Sequence, residues 1–203
     1  MSTSLADGLF QQLQGAPLAR ISQQLGLDPR QAEGAVSAAL PLLIGALGRN
    51  ATQPGGADSL FGALQRDHLA APASGLEGLL AASLGNGGQG EAILGHIFGS
   101  KTPTAAQGLG QATGLQGNQA STLLKILAPL VMAYLAKQVL GSGKAGNAQG
   151  LGSVLGQEQT SIRQSGGAIG GLLGRVLDQD GDGQVGMSDL IRLGSGLLGS
   201  GKR

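Results

Sequence analysis

Cysteine and tryptophan are absent from this 203-residue chain, and aromatic residues make up only 2% of it. Without cysteine the protein can form neither disulfides nor the thiolate sites of zinc proteins and thiol enzymes. With so few aromatic residues, a core must be assembled from leucine, isoleucine, valine and alanine. Glycine accounts for 39 residues, and each glycine inside a helix costs roughly 1 kcal/mol relative to alanine. This composition predicts a marginally stable monomer that self-association would stabilise.

Charge is also scarce, at 12% of residues with a formal net charge of +1. Such a chain has no broad basic surface to hold phosphates, so nucleic acid is not the expected partner. The N-terminus, MSTSLADGLFQQLQG, has neither the basic nor the apolar stretch of a secretory signal, and we expect a cytoplasmic protein. The longest apolar runs, 38–48 and 126–136, each contain a proline. They fall short of the ~20 residues of a membrane helix, so we expect no membrane span.

Apolar residues recur at helical spacing along the N-terminal part of the chain. The spacing predicts one helix over Leu5–Leu13 and a second over Pro17–Leu25, ended by Gly26. Asp28 is the expected N-cap of a third helix that has Pro29 in its first position.

An internal repeat emerges when the chain is compared with itself at an offset of 88 residues. The matching pairs include Phe10/Phe98, Gln23/Gln111, Gly26/Gly114, Pro41/Pro129 and Leu47/Leu135. Coincident prolines carry weight because a proline inside a helix is costly. The repeat predicts an all-α fold with duplicated three-helix units at about 5–50 and 93–140, in a domain over 1–140. The remaining predicted segments are a short helix over Gly75–Leu84, a flexible stretch over Gly85–Gly90 and a Gly/Ser-rich linker with a short helix over 141–171.

An acidic loop, DQDGDGQVGMSD at 178–189, has the spacing of an EF-hand calcium loop. Carboxylates at alternate positions converge on one centre, a glycine allows the sharp turn, and a carboxylate closes the site from the next helix. The predicted ligands are Asp178, Asp180, Asp182, the backbone carbonyl of Gln184, and Asp189. The flanking leucines predict a C-terminal EF-hand-like helix-loop-helix over 172–199.

Two features of this loop narrow the prediction. Asp189 stands where glutamate is usual, and its side chain is one methylene shorter. Either the loop contracts so that both carboxylate oxygens reach the ion, or the site binds Ca²⁺ more weakly and also admits Mg²⁺. The chain also has one such loop, whereas EF-hands normally pair. Either a degenerate partner exists within the chain or two chains contribute one loop each, which favours a homo-oligomer.

A helix-turn-helix corner is the alternative source of function. Residues Ile21–Ala35, within a motif at about 17–47, place Gly26 at the turn and put Arg30, Gln31 and Glu33 where base edges would be contacted. The other interpretation is a tight corner between two packed helices. We favour the packed corner because a basic surface is missing and the corresponding helix of the second copy begins with the uncharged Gly117, Asn118 and Gln119.

Other chemically active residues form no recognisable motif. His68 and His96 lie outside any zinc-type pair. Ser165 lacks the preceding glycine of a nucleophile elbow, and the GSGKAG segment around Lys144 lacks the spacing of a phosphate loop. No catalytic residue is therefore predicted, and we expect a protein that is not an enzyme.

Several apolar motifs, in order, resemble one bacterial family. They are IxxxLGLD from residue 21, GxADSLFGAL from 55, ILGHIFG at 93–99 and LAPLVMAYL at 127–135. Over roughly residues 1–155 the chain resembles the family of unknown function DUF937 and its YidB-like relatives. The resemblance implies an all-α, homeodomain-like fold in the bacterial cytoplasm, and it brings no active site. Together with the loop, it leads us to expect a calcium-binding, self-associating helical scaffold or interaction module that also admits a protein partner.

Overall fold

The computed structural model describes residues 4–68, 75–85, 87–141 and 147–164, and throughout these ranges the regular structure is helical, without strands. The all-α prediction is therefore confirmed for this part of the chain. The acidic loop at 178–189 and the segment 172–199 lie outside the described residues. The helices are α1 Leu5–Leu13, α2 Ala16–Leu25, α3 Pro29–Thr52, α4 Gly56–His68, α5 Gly75–Gly85, α6 Gly87–Phe98, α7 Thr102–Thr113, α8 Gly117–Gly141 and α9 Ala148–Gln164, with a 3-10 turn at Gly99–Lys101.

Helices α1 and α2, and the start of α3, lie where local sequence signals predict. Ser4 caps α1, its hydroxyl accepting a hydrogen bond of 3.0 Å from the Asp7 amide. Asp28 caps α3 in the same way, accepting a hydrogen bond of 2.9 Å from the Gln31 amide. Both side chains satisfy amides that have no partner within the helix. Gly26 ends α2 with a left-handed φ of 64°, a conformation that glycine adopts without strain.

Two long helices, α3 and α8, pack against each other at the centre of the fold. They have 24 and 25 residues, and each contains an internal proline, Pro41 and Pro129. Their first residues are 88 positions apart, as are the left-handed glycines that precede them, Gly26 and Gly114. Helices α2 and α7 end 88 positions apart as well.

The core is made almost entirely of aliphatic side chains from these two helices and their neighbours. On α3, Leu40, Leu43, Ile44 and Leu47 are buried, and on α8 the fully buried side chains include Leu123, Leu124, Leu127, Leu130 and Leu135. The aromatic residues buried in the described part of the chain are Phe98 and Tyr134. A helix that is apolar on most sides must be covered by other helices, which explains the central position of α3 and α8.

Length and composition alone would allow Pro29–Thr52 and Gly117–Val139 to cross a membrane. The longest apolar runs within these helices, 38–48 and 126–136, predict no span because they fall short of the ~20 residues of a membrane helix. In the folded chain 67% and 72% of the apolar windows of these helices are buried against other helices. The central helices of a packed bundle meet the same length and composition criteria, so the absence of a span stays a prediction.

The flexible stretch predicted at Gly85–Gly90 is wrong for Gly85, which ends α5, and for residues 87–90, which belong to α6. The helix begins at Gly87, and Gly90 is buried against α8. A Cβ atom at position 90 would overlap the carbonyl oxygen of Lys125. Glycine at this site therefore serves a close approach of two helices. Beside it, the Glu91 carboxylate forms an ion pair of 3.0 Å with the Lys125 ammonium group, and both side chains are at least partly exposed.

Helix α9 lies in the segment predicted to be a linker with a short helix. It has 17 residues, and its main partners are α3 and α4 in the first half of the chain. Leu151 and Leu155, one helical turn apart, are fully buried. Part of the predicted linker thus belongs to the packed core.

Candidate functional sites

The corner between α2 and α3 is held by hydrogen bonds within four positions of the turn. The Gly26 amide donates to the Gln23 carbonyl, and the Leu27 amide donates to the Ser22 carbonyl at 3.0 Å. The buried Ser22 hydroxyl donates to the Leu27 carbonyl at 2.7 Å. These contacts close the end of α2 and fix the direction of α3.

The residues proposed to contact DNA lie on the first turns of α3. Arg30 and Glu33 are exposed, and Gln31 is half-buried. The exposed Asp28 and Glu33 lie on either side of Arg30 in the chain, so acidic groups outnumber basic ones at this helix terminus. A phosphate backbone is held by clusters of positive charge, which this surface does not provide.

The second corner, between α7 and α8, contacts the first. The Gln119 side-chain amide donates to the Leu25 carbonyl at the end of α2 at 3.0 Å, while its oxygen accepts from the Gln116 amide at 3.0 Å. Gln119 therefore satisfies backbone groups of both corners. Gly117 and Asn118 beside it are exposed.

A groove on the first half of the chain holds α9. Gly48 of α3 lies beneath it, where a Cβ would come 3.1 Å from the Leu155 carbonyl oxygen and 3.5 Å from the Gln159 Cβ. On the α4 side, a Cβ at Gly152 would lie 3.7 Å from the Ala57 Cβ. Small residues thus let α9 approach both helices closely.

Glu158 closes the same groove on the α1 side. Its carboxylate accepts a 3.4 Å hydrogen bond from the Ala6 amide in the first turn of α1, and the residue is only 8% exposed. A helix N-terminus carries partial positive charge that stabilises a carboxylate there. Sequence reasoning did not single out Glu158. The signal was its spacing, since it follows Leu151 and Leu155 on one helical face.

Among the histidine and serine candidates, His96 is the one whose side chain the structure describes. His96 is exposed in the last turn of α6. His68 is the last residue of α4, and its side chain, like all of Ser165 and Lys144, lies outside the described residues. Within the described ranges, no three histidine or acidic side chains lie together as they would in a metal site.

The predicted calcium ligands Asp178, Asp180, Asp182, Gln184 and Asp189 all belong to the part of the chain that the structure does not describe. Their arrangement around an ion therefore stays a prediction from spacing and donor chemistry. Carboxylate and carbonyl oxygens are the donors that Ca²⁺ and Mg²⁺ take.

The described fold, over residues 4–68, 75–85, 87–141 and 147–164, is all-helical with an aliphatic core. Comparison with known families makes the assignment more specific. Residues 7–138 match the family described as "Bacterial protein of unknown function (DUF937)", and the chain belongs to it. No curated protein and no solved structure shows significant similarity to the chain. Helix α9 and the acidic loop both lie beyond the matched segment.

Proposed function

We propose that this protein is a non-enzymatic, calcium-binding helical scaffold that associates with copies of itself. The spacing of the loop at 178–189 supports this proposal most directly. Asp178, Asp180 and Asp182 stand at its first, third and fifth places, and Gly183 stands at the sixth. Three carboxylates so close together repel one another unless a cation neutralises them. Ca²⁺ fits this donor set.

The ligand at the twelfth place of the loop sets the preference of the site between Ca²⁺ and Mg²⁺. Asp189 occupies the twelfth place, where glutamate would reach the ion with two oxygens from a longer side chain. A loop closed by aspartate is smaller or weaker, and Mg²⁺ then competes for it. The ninth place is Gly186, so water completes the coordination there.

Self-association is supported by the solitary loop and by the composition of the fold. EF-hand loops act in pairs, and two chains can supply one loop each. The core is aliphatic and charge is scarce, so contacts between copies meet little electrostatic repulsion. Calcium binding that orders a helix pair adds its binding free energy to such a contact.

We further propose that the helical scaffold itself arose from a duplicated three-helix unit. The 88-residue spacing of α3 and α8, of their internal prolines and of Gly26 and Gly114 supports it. The two corners meet through Gln119 and Leu25, as two related units that face each other would.

Isothermal titration calorimetry tests the metal site. We expect wild-type protein to bind one calcium ion per chain and Asp180→Ala/Asp182→Ala to lose binding, because two of the four carboxylates are removed. Gln184→Ala is the matched control within the loop, since that residue contributes only its backbone carbonyl, and it should bind as wild type does. Equal calcium binding by the wild type and the double variant would refute the site.

A DNA-binding regulator is the second candidate, favoured by the well-formed corner that leaves Arg30 exposed. It predicts binding to duplex DNA that falls steeply with salt and is weakened by Arg30→Ala, whereas the distant Lys137→Ala serves as the charge-matched control. If the protein is not retained on DNA at low salt, this function is excluded.

A further inference from the structure

Contacts between the two halves of the chain occur in reciprocal pairs. Helix α2 of the first half packs against α8 of the second, and α7, the counterpart of α2, packs against α3, the counterpart of α8. Helix α6 packs against α3 in the same way that α1 reaches α8, where a Cβ atom at Gly8 would overlap the Tyr134 hydroxyl. Reciprocal contacts characterise a two-fold interface, in which both partners use the same surface.

The ends of the two long helices show this reciprocity residue by residue. The Asn50 side-chain amide, near the end of α3, donates to the His96 carbonyl at 3.1 Å. At the 88-residue offset, positions 50 and 96 correspond to Gln138 and Gly8. The Gln138 side-chain amide donates to the Tyr134 hydroxyl at 3.0 Å, and this hydroxyl lies against Gly8. The end of α8 is therefore joined to α1 at the place where the end of α3 is joined to α6.

Each half also contributes a fourth helix, α4 after α3 and α9 after α8. The alanine and the two leucines of α4 recur at the same spacing in α9, as Ala57, Leu60 and Leu64 and as Ala148, Leu151 and Leu155. Helix α9 packs on α3, and α4 packs on α8 as well as on α3, so each fourth helix crosses to the long helix of the other half. Helix α3 packs on its counterpart α8, and α4 packs on α9. In a two-fold arrangement, elements that contact their own counterparts lie at the axis.

We propose that the chain is an internal pseudo-dimer, in which two four-helix units, α1–α4 and α6–α9, bind each other through the same surface. This inference rests on the duplication proposed above and extends the repeated unit by one helix. The surface formed by the long helix and its neighbours fits a second unit of the same kind, and the other half of the chain supplies that unit. Since each unit covers this surface of the other, association between chains uses a different part of the molecule.

Distances between pairs of spin labels, measured by electron paramagnetic resonance, test this symmetry. The chain has no cysteine of its own, so labels attach only where cysteines are introduced. Gln24 and Ala112 lie near the ends of α2 and α7, and Arg49 and Lys137 lie at equivalent places in α3 and α8. The two-fold relates Gln24→Cys/Lys137→Cys to Ala112→Cys/Arg49→Cys, so we expect these two variants to give the same distance. A head-to-tail arrangement of the units would give two different distances.

The pairs within one unit, Gln24→Cys/Arg49→Cys and Ala112→Cys/Lys137→Cys, are the matched controls. All four side chains are at least partly exposed, so we expect the circular dichroism of the wild type from every variant. If the pairs within a unit agree and the reciprocal pairs differ, the duplication stands and the shared surface is refuted. If the pairs within a unit differ, the duplication fails as well.

Dilution with unlabelled wild-type chain separates contacts within one chain from contacts between chains. Both labels of each variant are on the same chain, so we expect all four distances to persist on dilution. A reciprocal distance that disappears on dilution would show that a second copy supplies the partner unit, and it would overturn the internal pseudo-dimer.

Discussion

At the scale of single residues, glycine has two opposite effects in α6. Gly90 is buried where the helix meets the Lys125 backbone, so the missing side chain allows the contact between α6 and α8. Gly95, five residues later on the same helix, is exposed and has nothing near it. There glycine brings only its entropic cost. Composition alone cannot separate these two positions.

Substituting the two glycines should therefore change stability in opposite directions. Gly90→Ala forces a methyl group onto backbone and should lower the free energy of unfolding by about 1–3 kcal/mol. Gly95→Ala should raise it by up to about 1 kcal/mol through helix propensity. Urea denaturation followed by circular dichroism measures both. A Gly90→Ala variant as stable as Gly95→Ala would show that the α6–α8 approach is not as close as described.

At the scale of elements, helix ends are tied to distant parts of the chain. The Asn50 side-chain amide, near the end of α3, donates to the His96 carbonyl at 3.1 Å and to the Ile97 carbonyl at 2.9 Å. Both acceptors lie at the end of α6, where carbonyls lack partners within the helix. Asn50 thereby joins the end of one helix to the end of another.

Removing this cap should weaken the fold measurably. Asn50→Ala should cost about 1–2 kcal/mol of unfolding free energy, since two bonds to backbone carbonyls are lost. Asn50→Asp keeps the shape but replaces donors by a carboxylate facing those carbonyls, and it should be at least as destabilising. Chemical denaturation compares them with Gln12→Ala, an exposed change expected to be nearly neutral. Wild-type stability of Asn50→Asp would refute the role of these bonds.

Helix limits were predictable where a local signal is strong. Leu5–Leu13, the Asp28 cap and the Gly26 stop follow from spacing and side-chain chemistry within a few residues. The start of α6 and the length of α9 were not, because their glycines lower local helix propensity and packing on α8 and α3 restores it. The contact of Glu158 with the Ala6 amide depends on how α9 packs beside α1, which no local sequence pattern encodes.

At the scale of the whole molecule, the helical core and the acidic loop belong to different segments of the chain. The family match covers residues 7–138, and most of the buried core residues lie within the same range. The metal prediction comes from a spacing pattern at 178–189, where five ligands can be named from sequence because each position in the loop has a separate chemical role. How the halves of the chain pack together depends on contacts between distant residues, which no local pattern encodes.

We propose that calcium binding and self-association are linked in this protein. Sedimentation velocity at tens of micromolar, with calcium and with chelator, measures that link directly. We predict that calcium shifts the wild type towards larger species and leaves Asp180→Ala/Asp182→Ala unchanged, because binding to the associated state stabilises it. A compact wild-type monomer in both conditions would contradict the claim.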